Sequence, residues 1–182
     1  LRIQRLNSQA QLINEALLKG ADWELDYYIL TPTAAALKND KLFVVGYVSG
    51  DGPKRYGFVV QYDVENPNVP PVLKLTHINV QASVILDVAI NKFDQPLVAG
   101  FLEPEGADEP DDRDPWAMRY GLSGGEISPM NNSWAAGGSF SNDNFSCATD
   151  KEDMTVSVEI LEDNSSAYLF AGVTPHPGTN GP

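Results

Sequence analysis

The densest group of chemically capable side chains lies in residues 103–114. Glu103, Glu105, Asp108, Glu109, Asp111, Asp112 and Asp114 stand there against the single Arg113, a local charge of −6 in a chain whose total is −13. Carboxylates this close supply the hard oxygen donors that Ca²⁺ collects in sets of about six to eight. That chemistry makes Asp108, Glu109, Asp111, Asp112 and Asp114 the candidate metal ligands and calcium the candidate cofactor. The spacing is not that of an EF-hand. The plainer reading of the same run is a solvated acidic loop, because self-repelling carboxylates among Pro and Gly stay extended in water. A second polar stretch, 141–153, carries Asn142, Asp143, Asn144, Asp150, Glu152 and Asp153. It sits where a binding function could be grafted onto a rigid scaffold, or where a loop merely wanders.

Acid–base and nucleophilic chemistry finds little material. His77 lies between Thr76 and Ile78 in a strand-like stretch, His176 lies between Pro175 and Pro177, and no G-x-S-x-G elbow occurs. Paired carboxylates suffice for glycoside hydrolysis, and Asp26, Asp87 and Glu159 are the strand-borne candidates. Asp87 has a simpler role, since polar residues recur at what spacing suggests are matching positions, Thr33 and Ser157, as groups capping buried backbone would. The lone Cys147 excludes an internal disulfide framework and multi-thiolate zinc sites. Asn131, Asn144 and Asn164 open Asn-x-Ser sequons, a weak signal among 13 asparagines. Trp23, Trp116 and Trp134 could stack on sugars, although an aromatic at a strand position more often packs a core.

Twelve basic against 25 acidic side chains, with a pI near 4.3, disfavour nucleic acid and anionic membrane as partners. No apolar run approaches the roughly 18 residues of a membrane span; the longest windows, 42–48 and 80–90, are short and broken by polar residues. The chain opens on Leu1 with no Met, basic region or apolar leader, so a processed or trimmed protein is expected. With 42% hydrophobic residues over 182 positions, it has the material for a sizeable core.

The elements that must carry these side chains are legible as repeats. An aliphatic stretch ending in Gly occurs as Leu42-Phe43-Val44-Val45-Gly46, Pro96-Leu97-Val98-Ala99-Gly100 and Tyr168-Leu169-Phe170-Ala171-Gly172, with glycine separations of 54 and 72. A second pattern, Phe58-Val59-Val60-Gln61-Tyr62-Asp63, returns as Trp116-Ala117-Met118-Arg119-Tyr120-Gly121 and opens the chain as Arg2-Ile3-Gln4-Arg5-Leu6-Asn7. Aligning Leu6, Tyr62 and Tyr120 gives spacings of 56 and 58, so two independent motifs return one period. Period-2 alternation at 84–90 and 156–160 marks strands. Turn residues at 38–40, 91–94 and 162–166 precede the aliphatic-Gly strands, as hairpin loops do. A more degenerate strand is expected upstream in each unit, at 21–27, 72–78 and 133–140. Helical evidence is confined to 8–19, where Leu12, Ile13, Ala16 and Leu17 have helix-like spacing.

Four short antiparallel strands per unit, apolar on both faces, predict an all-β chain forming part of a β-propeller. The strand pair carried by 96–100 with 116–125, less fully by 42–46 with 56–63 and faintly by 2–11, resembles bacterial propeller repeats of the delta-sixty type. The match covers about a third of the chain and departs from the pattern at Gln61, where Arg is usual. The resemblance implies four-stranded antiparallel blades. The expected division is 1–8 as the outer strand of a first blade, 20–64 and 70–122 as two complete blades, and 131–174 as three strands of a fourth. About three blade equivalents fall short of the roughly four to eight in closed propellers, so the remaining blades must come from a longer chain or from another copy. The expected function is a non-enzymatic scaffold or adhesion module outside the cytoplasm (extracellular, cell-surface or periplasmic), with loops contacting polysaccharide, protein or a cation. The alternatives are a carbohydrate-active propeller enzyme using paired Asp/Glu and a purely structural domain of a larger surface protein.

Overall fold

A computed structural model describes residues 1–17, 29–49, 55–66, 69–75, 82–103, 114–123, 126–129, 154–160 and 168–173. All regular structure among them is β: β1 (Arg2–Leu6), β2 (Leu12–Leu17), β3 (Ile29–Lys38), β4 (Lys41–Ser49), β5 (Arg55–Asp63), β6 (Val72–Leu75), β7 (Ala82–Ile90), β8 (Pro96–Glu103), β9 (Asp114–Ser123), β10 (Glu126–Pro129), β11 (Met154–Ile160) and β12 (Tyr168–Val173). Two four-stranded antiparallel sheets, β3-β4-β5-β6 and β7-β8-β9-β10, run in sequence order, and two-stranded sheets, β1-β2 and β11-β12, flank them along the chain.

The apolar strands are buried from both sides, which explains why 42–48 is a continuous aliphatic run rather than an alternating one. From β4 and β5, Phe43, Val45 and Val59 enter one cluster with Ile85, Val88, Val98, Met118 and Tyr120 of the following sheet. The intervening residues Val44, Val48, Phe58, Val60 and Tyr62 join Ile3 of β1 on the other face. On the far face of the next sheet, Leu97 and Ala99 pack against Val158 of β11. Each four-stranded sheet is therefore sandwiched between neighbours, and each fully buried aliphatic side chain contributes about 1.5–3 kcal/mol.

The repeated glycines stand where two strands approach too closely for a side chain. Gly46 pairs with Pro32 and Gly100 with Ile85, both beside a bulge in the first strand of the sheet. A Cβ at Gly46 would run into the Thr31 carbonyl oxygen, and one at Gly100 into the Val84 carbonyl oxygen. On the third strand the backbone register sets Phe58 opposite Gly46 and Trp116 opposite Gly100.

One open choice is decided and two expectations are revised. Residues 12–17 form a strand rather than a helical turn: they pair with β1, and every second residue, Asn14 and Ala16, turns toward the neighbouring sheet. Residues 72–75, grouped by sequence with the strands that follow, are hydrogen bonded to β5 of the preceding sheet, with Phe58 opposite Leu75 and Gln61 opposite Val72. The physical reason is the reversal after β5. The Asp63 carboxylate accepts the Glu65 and Asn66 backbone N–H groups, both at 3.0 Å, and the Asn66 side-chain amide at 3.1 Å, an Asx-type turn. Finally, the bulges shift the polar repeat position by one residue. Ala34, Asp87 and Ser157 each face the residue before the repeated glycine, so Ala34 rather than Thr33 matches Asp87. The strands expected at 21–27 and 133–140 lie outside the described residues.

One turn occurs twice. In Asn7–Gln11 and again in Asn91–Gln95, the Asn side-chain oxygen accepts two backbone N–H groups, its amide donates to the Gln side chain, and its backbone N–H donates to the Gln carbonyl. The residue before the Gln has positive φ in both, 60° at Ala10 and 59° at Asp94. Asn91 is buried because these bonds satisfy it.

Candidate functional site

Strand order places the connections at two ends, with 39–40, 64–71 and 91–95 at one of them. The links 39–40 and 91–95 are tight, and they touch: Lys38 Nζ donates to the Asn91 carbonyl at 2.9 Å and Asn39 Nδ2 to Asp94 Oδ1 at 2.8 Å. At the opposite end of the same two sheets, β4 leads through 50–54 to β5, β6 through 76–81 to β7, and β8 through 104–113 to β9. These ends also touch. The Gly57 N–H donates to Ser83 Oγ at 3.0 Å, and the Arg55 guanidinium lies 5.5 Å from the Tyr47 ring centre and 5.8 Å from that of Phe101. Tyr47 and Phe101 are the residues that follow the repeated glycines, so the repeat itself supplies the two rings.

The twelve strands carry seven acidic and seven basic side chains and are neutral, so the −13 resides in the residues outside them. Residues 104–113 contribute −4, with Glu105, Asp108, Glu109, Asp111 and Asp112 against Arg113. They span from Glu103, which pairs with Ala82, to Asp114, which pairs with Leu102. Of the five expected metal ligands, Asp114 is the first residue of β9, while Asp108, Glu109, Asp111 and Asp112 lie outside the described residues. Among the described residues, no three His, Cys, Asp or Glu side chains converge as a metal site.

The carboxylates considered for catalysis divide. Asp87 Oδ1 accepts the N–H of Val88 at 2.8 Å and Oδ2 that of Val158 in β11 at 3.0 Å, so this side chain caps backbone and ties one sheet to the next. Thr33 does the equivalent one sheet earlier, donating its hydroxyl to the Ile85 carbonyl at 2.7 Å. Both bonds satisfy groups exposed where a bulge interrupts the ladder. Glu159 pairs through its backbone with Leu169. Asp26, His77, His176, Cys147, Trp23, Trp134 and the three sequons lie outside the described residues.

Two titratable groups among the described residues depart from ordinary behaviour, in opposite directions. Hydrogen bonds from the Asn66 side chain and backbone hold the exposed Asp63 carboxyl below the usual carboxylate range. Burial pushes the Tyr120 phenol far above its ordinary value, so it stays protonated. Its hydroxyl has no hydrogen-bond partner among the described residues. Sequence spacing paired Tyr120 with Tyr62 but gave no hint of this difference.

No family model, no curated protein and no solved structure matches this chain. No helix among the described residues is long and apolar enough to cross a membrane.

Proposed function

We propose that the chain is part of a β-propeller serving as a non-enzymatic binding scaffold, with its ligand-contacting face at the end that carries the acidic connection. The supporting observation is the succession of two four-stranded sheets, each packed on both faces, whose interval 104–113 leaves from one end while the links 39–40 and 91–95 close the other. A rigid stack with one strongly acidic connection is suited to presenting loops. In this reading β1–β2 supply the third and fourth strands of one blade, with β2 in place of residues 1–8 as its outer strand, and β11–β12 the first and second of another, in place of the three strands expected over 131–174. Further sequence or another copy supplies the rest. The ligand is a polysaccharide or a protein met outside the cytoplasm, at a cell surface or in the periplasm, and Asp108, Glu109, Asp111, Asp112 and Asp114 bind calcium in support of it.

The test is a glycan and surface-protein panel with calorimetric Ca²⁺ titration, on the wild type and on Asp111→Ala/Asp112→Ala/Asp114→Ala. Retention of a ligand without released sugar is expected, with Ca²⁺ binding lost in the triple variant. Released sugar makes the chain an enzyme and overturns the scaffold reading. Ca²⁺ binding unchanged in the triple variant overturns the calcium assignment.

A further inference from the structure

Gln61 pairs with Phe43 and Arg119 with Leu97, each three residues before a repeated glycine, so Tyr62 and Tyr120 occupy one position in successive sheets. Their surroundings differ. Tyr62 is buried, and its hydroxyl accepts a hydrogen bond from Asn14 Nδ2, 3.2 Å away on β2 of the preceding sheet. Tyr120 is fully buried with no partner for its hydroxyl among the described residues.

Register explains the difference. Asn14 pairs with Arg5, the residue before Leu6, and Val72 pairs with Gln61, the residue before Tyr62. Asn14 and Val72 are thus one position in the fourth strands of consecutive sheets. Val72 also packs against the cluster that contains Tyr120, on the side from which Asn14 reaches Tyr62. The repeat keeps the tyrosine and loses its donor.

We infer that Asn14–Tyr62 is a repeat-encoded lock between neighbouring sheets and that Val72–Tyr120 is the same lock without its donor. The seam between β3–β6 and β7–β10 thereby carries a buried hydroxyl with no partner among the described residues, which an amide at position 72 satisfies. A buried hydroxyl left unmade is unfavourable by an amount corresponding to roughly fivefold or more in the folding constant.

The experiment is a double-mutant cycle on the intact protein, read by urea denaturation. Tyr120→Phe alone raises the folding constant roughly fivefold. Val72→Asn lowers it roughly fivefold less in the wild-type background than in the Tyr120→Phe background. The mirror cycle uses Asn14→Val and Tyr62→Phe: each single change lowers the folding constant, and the pair together lowers it less than their product. This second cycle decides the matter if Val72→Asn does not fold. No rise with Tyr120→Phe, equal losses on Val72→Asn in both backgrounds, or independent effects of Asn14→Val and Tyr62→Phe would overturn the inference.

Discussion

Replacing Gly46 with alanine adds one methyl group where the fold leaves no room for it. The new Cβ would collide with the Thr31 carbonyl oxygen, with the Pro32 Cα at 2.9 Å and with Phe58 Cε1 at 3.0 Å. Two of these neighbours are backbone atoms of the paired strand β3, which cannot rotate aside, and Phe58 is fully buried within its own cluster. Relief requires β3 to move away from β4 beside the bulge, loosening the ladder there. Overpacking costs about 1–3 kcal/mol and a lost hydrogen bond about 1 kcal/mol, so Gly46→Ala destabilises by about 3 kcal/mol. For a chain of this size the melting temperature falls by about 6–12 °C. Gly100→Ala meets the Val84 carbonyl oxygen, the Val84 carbonyl carbon at 2.9 Å and the Ile85 Cα at 3.0 Å, and behaves alike. Urea unfolding with an unchanged m-value measures both, with Ala35→Ser on the exposed side of β3 as a control expected within about 0.5 kcal/mol of wild type. A change below about 1 kcal/mol for either glycine refutes the close-approach reasoning.

Three other outcomes follow from local geometry. Asp87→Ala removes the acceptor of the Val158 N–H, so hydrogen exchange at Val158 accelerates and stability falls by about 1.5–3 kcal/mol, the range for hydrogen bonds to charged groups; unchanged exchange at Val158 contradicts the tie. Ala10→Gly relieves a non-glycine residue at φ 60° and raises stability by about 1 kcal/mol in thermal denaturation, whereas a loss contradicts the turn geometry. Because Asp63 is held below the ordinary carboxylate value of 3.8, the protonated unfolded form gains on it as pH falls. The turn's contribution is therefore complete above that value and disappears as pH drops through the lower folded value. Amide protection at Glu65 and Asn66, followed by NMR, is lost over that acidic window, and protection that persists in Asp63→Ala contradicts the assignment.

Burial pattern decided what could be read from the chain in advance. The strands at 42–46 and 96–100 were legible because burial on both faces demands unbroken aliphatic residues and close approach demands the glycine that ends each one. The turn at 91–94 was legible from its Asn and Asp. By contrast, 72–75 is four residues long with strands before and after it, and only the Asp63 turn decides which sheet it joins. Residues 12–17 carry apolar side chains that fit either period, and pairing with β1 settles the choice. The offset between Thr33 and Ala34 was hidden because a bulge inserts a residue without altering composition. The acidic run was visible at once, yet only strand order shows that it leaves the sheet at the end opposite the tight turns.

The central proposal is that the successive four-stranded sheets, which pack on one another through their faces, are blades of a propeller, and it implies that the first strand of each lies innermost. Electron-microscopy class averages of the intact, assembled protein test it most directly. The account predicts a disc of radially arranged sheets around a central channel, with β3, β7 and β11 nearest the axis; an elongated stack with no common axis would contradict it.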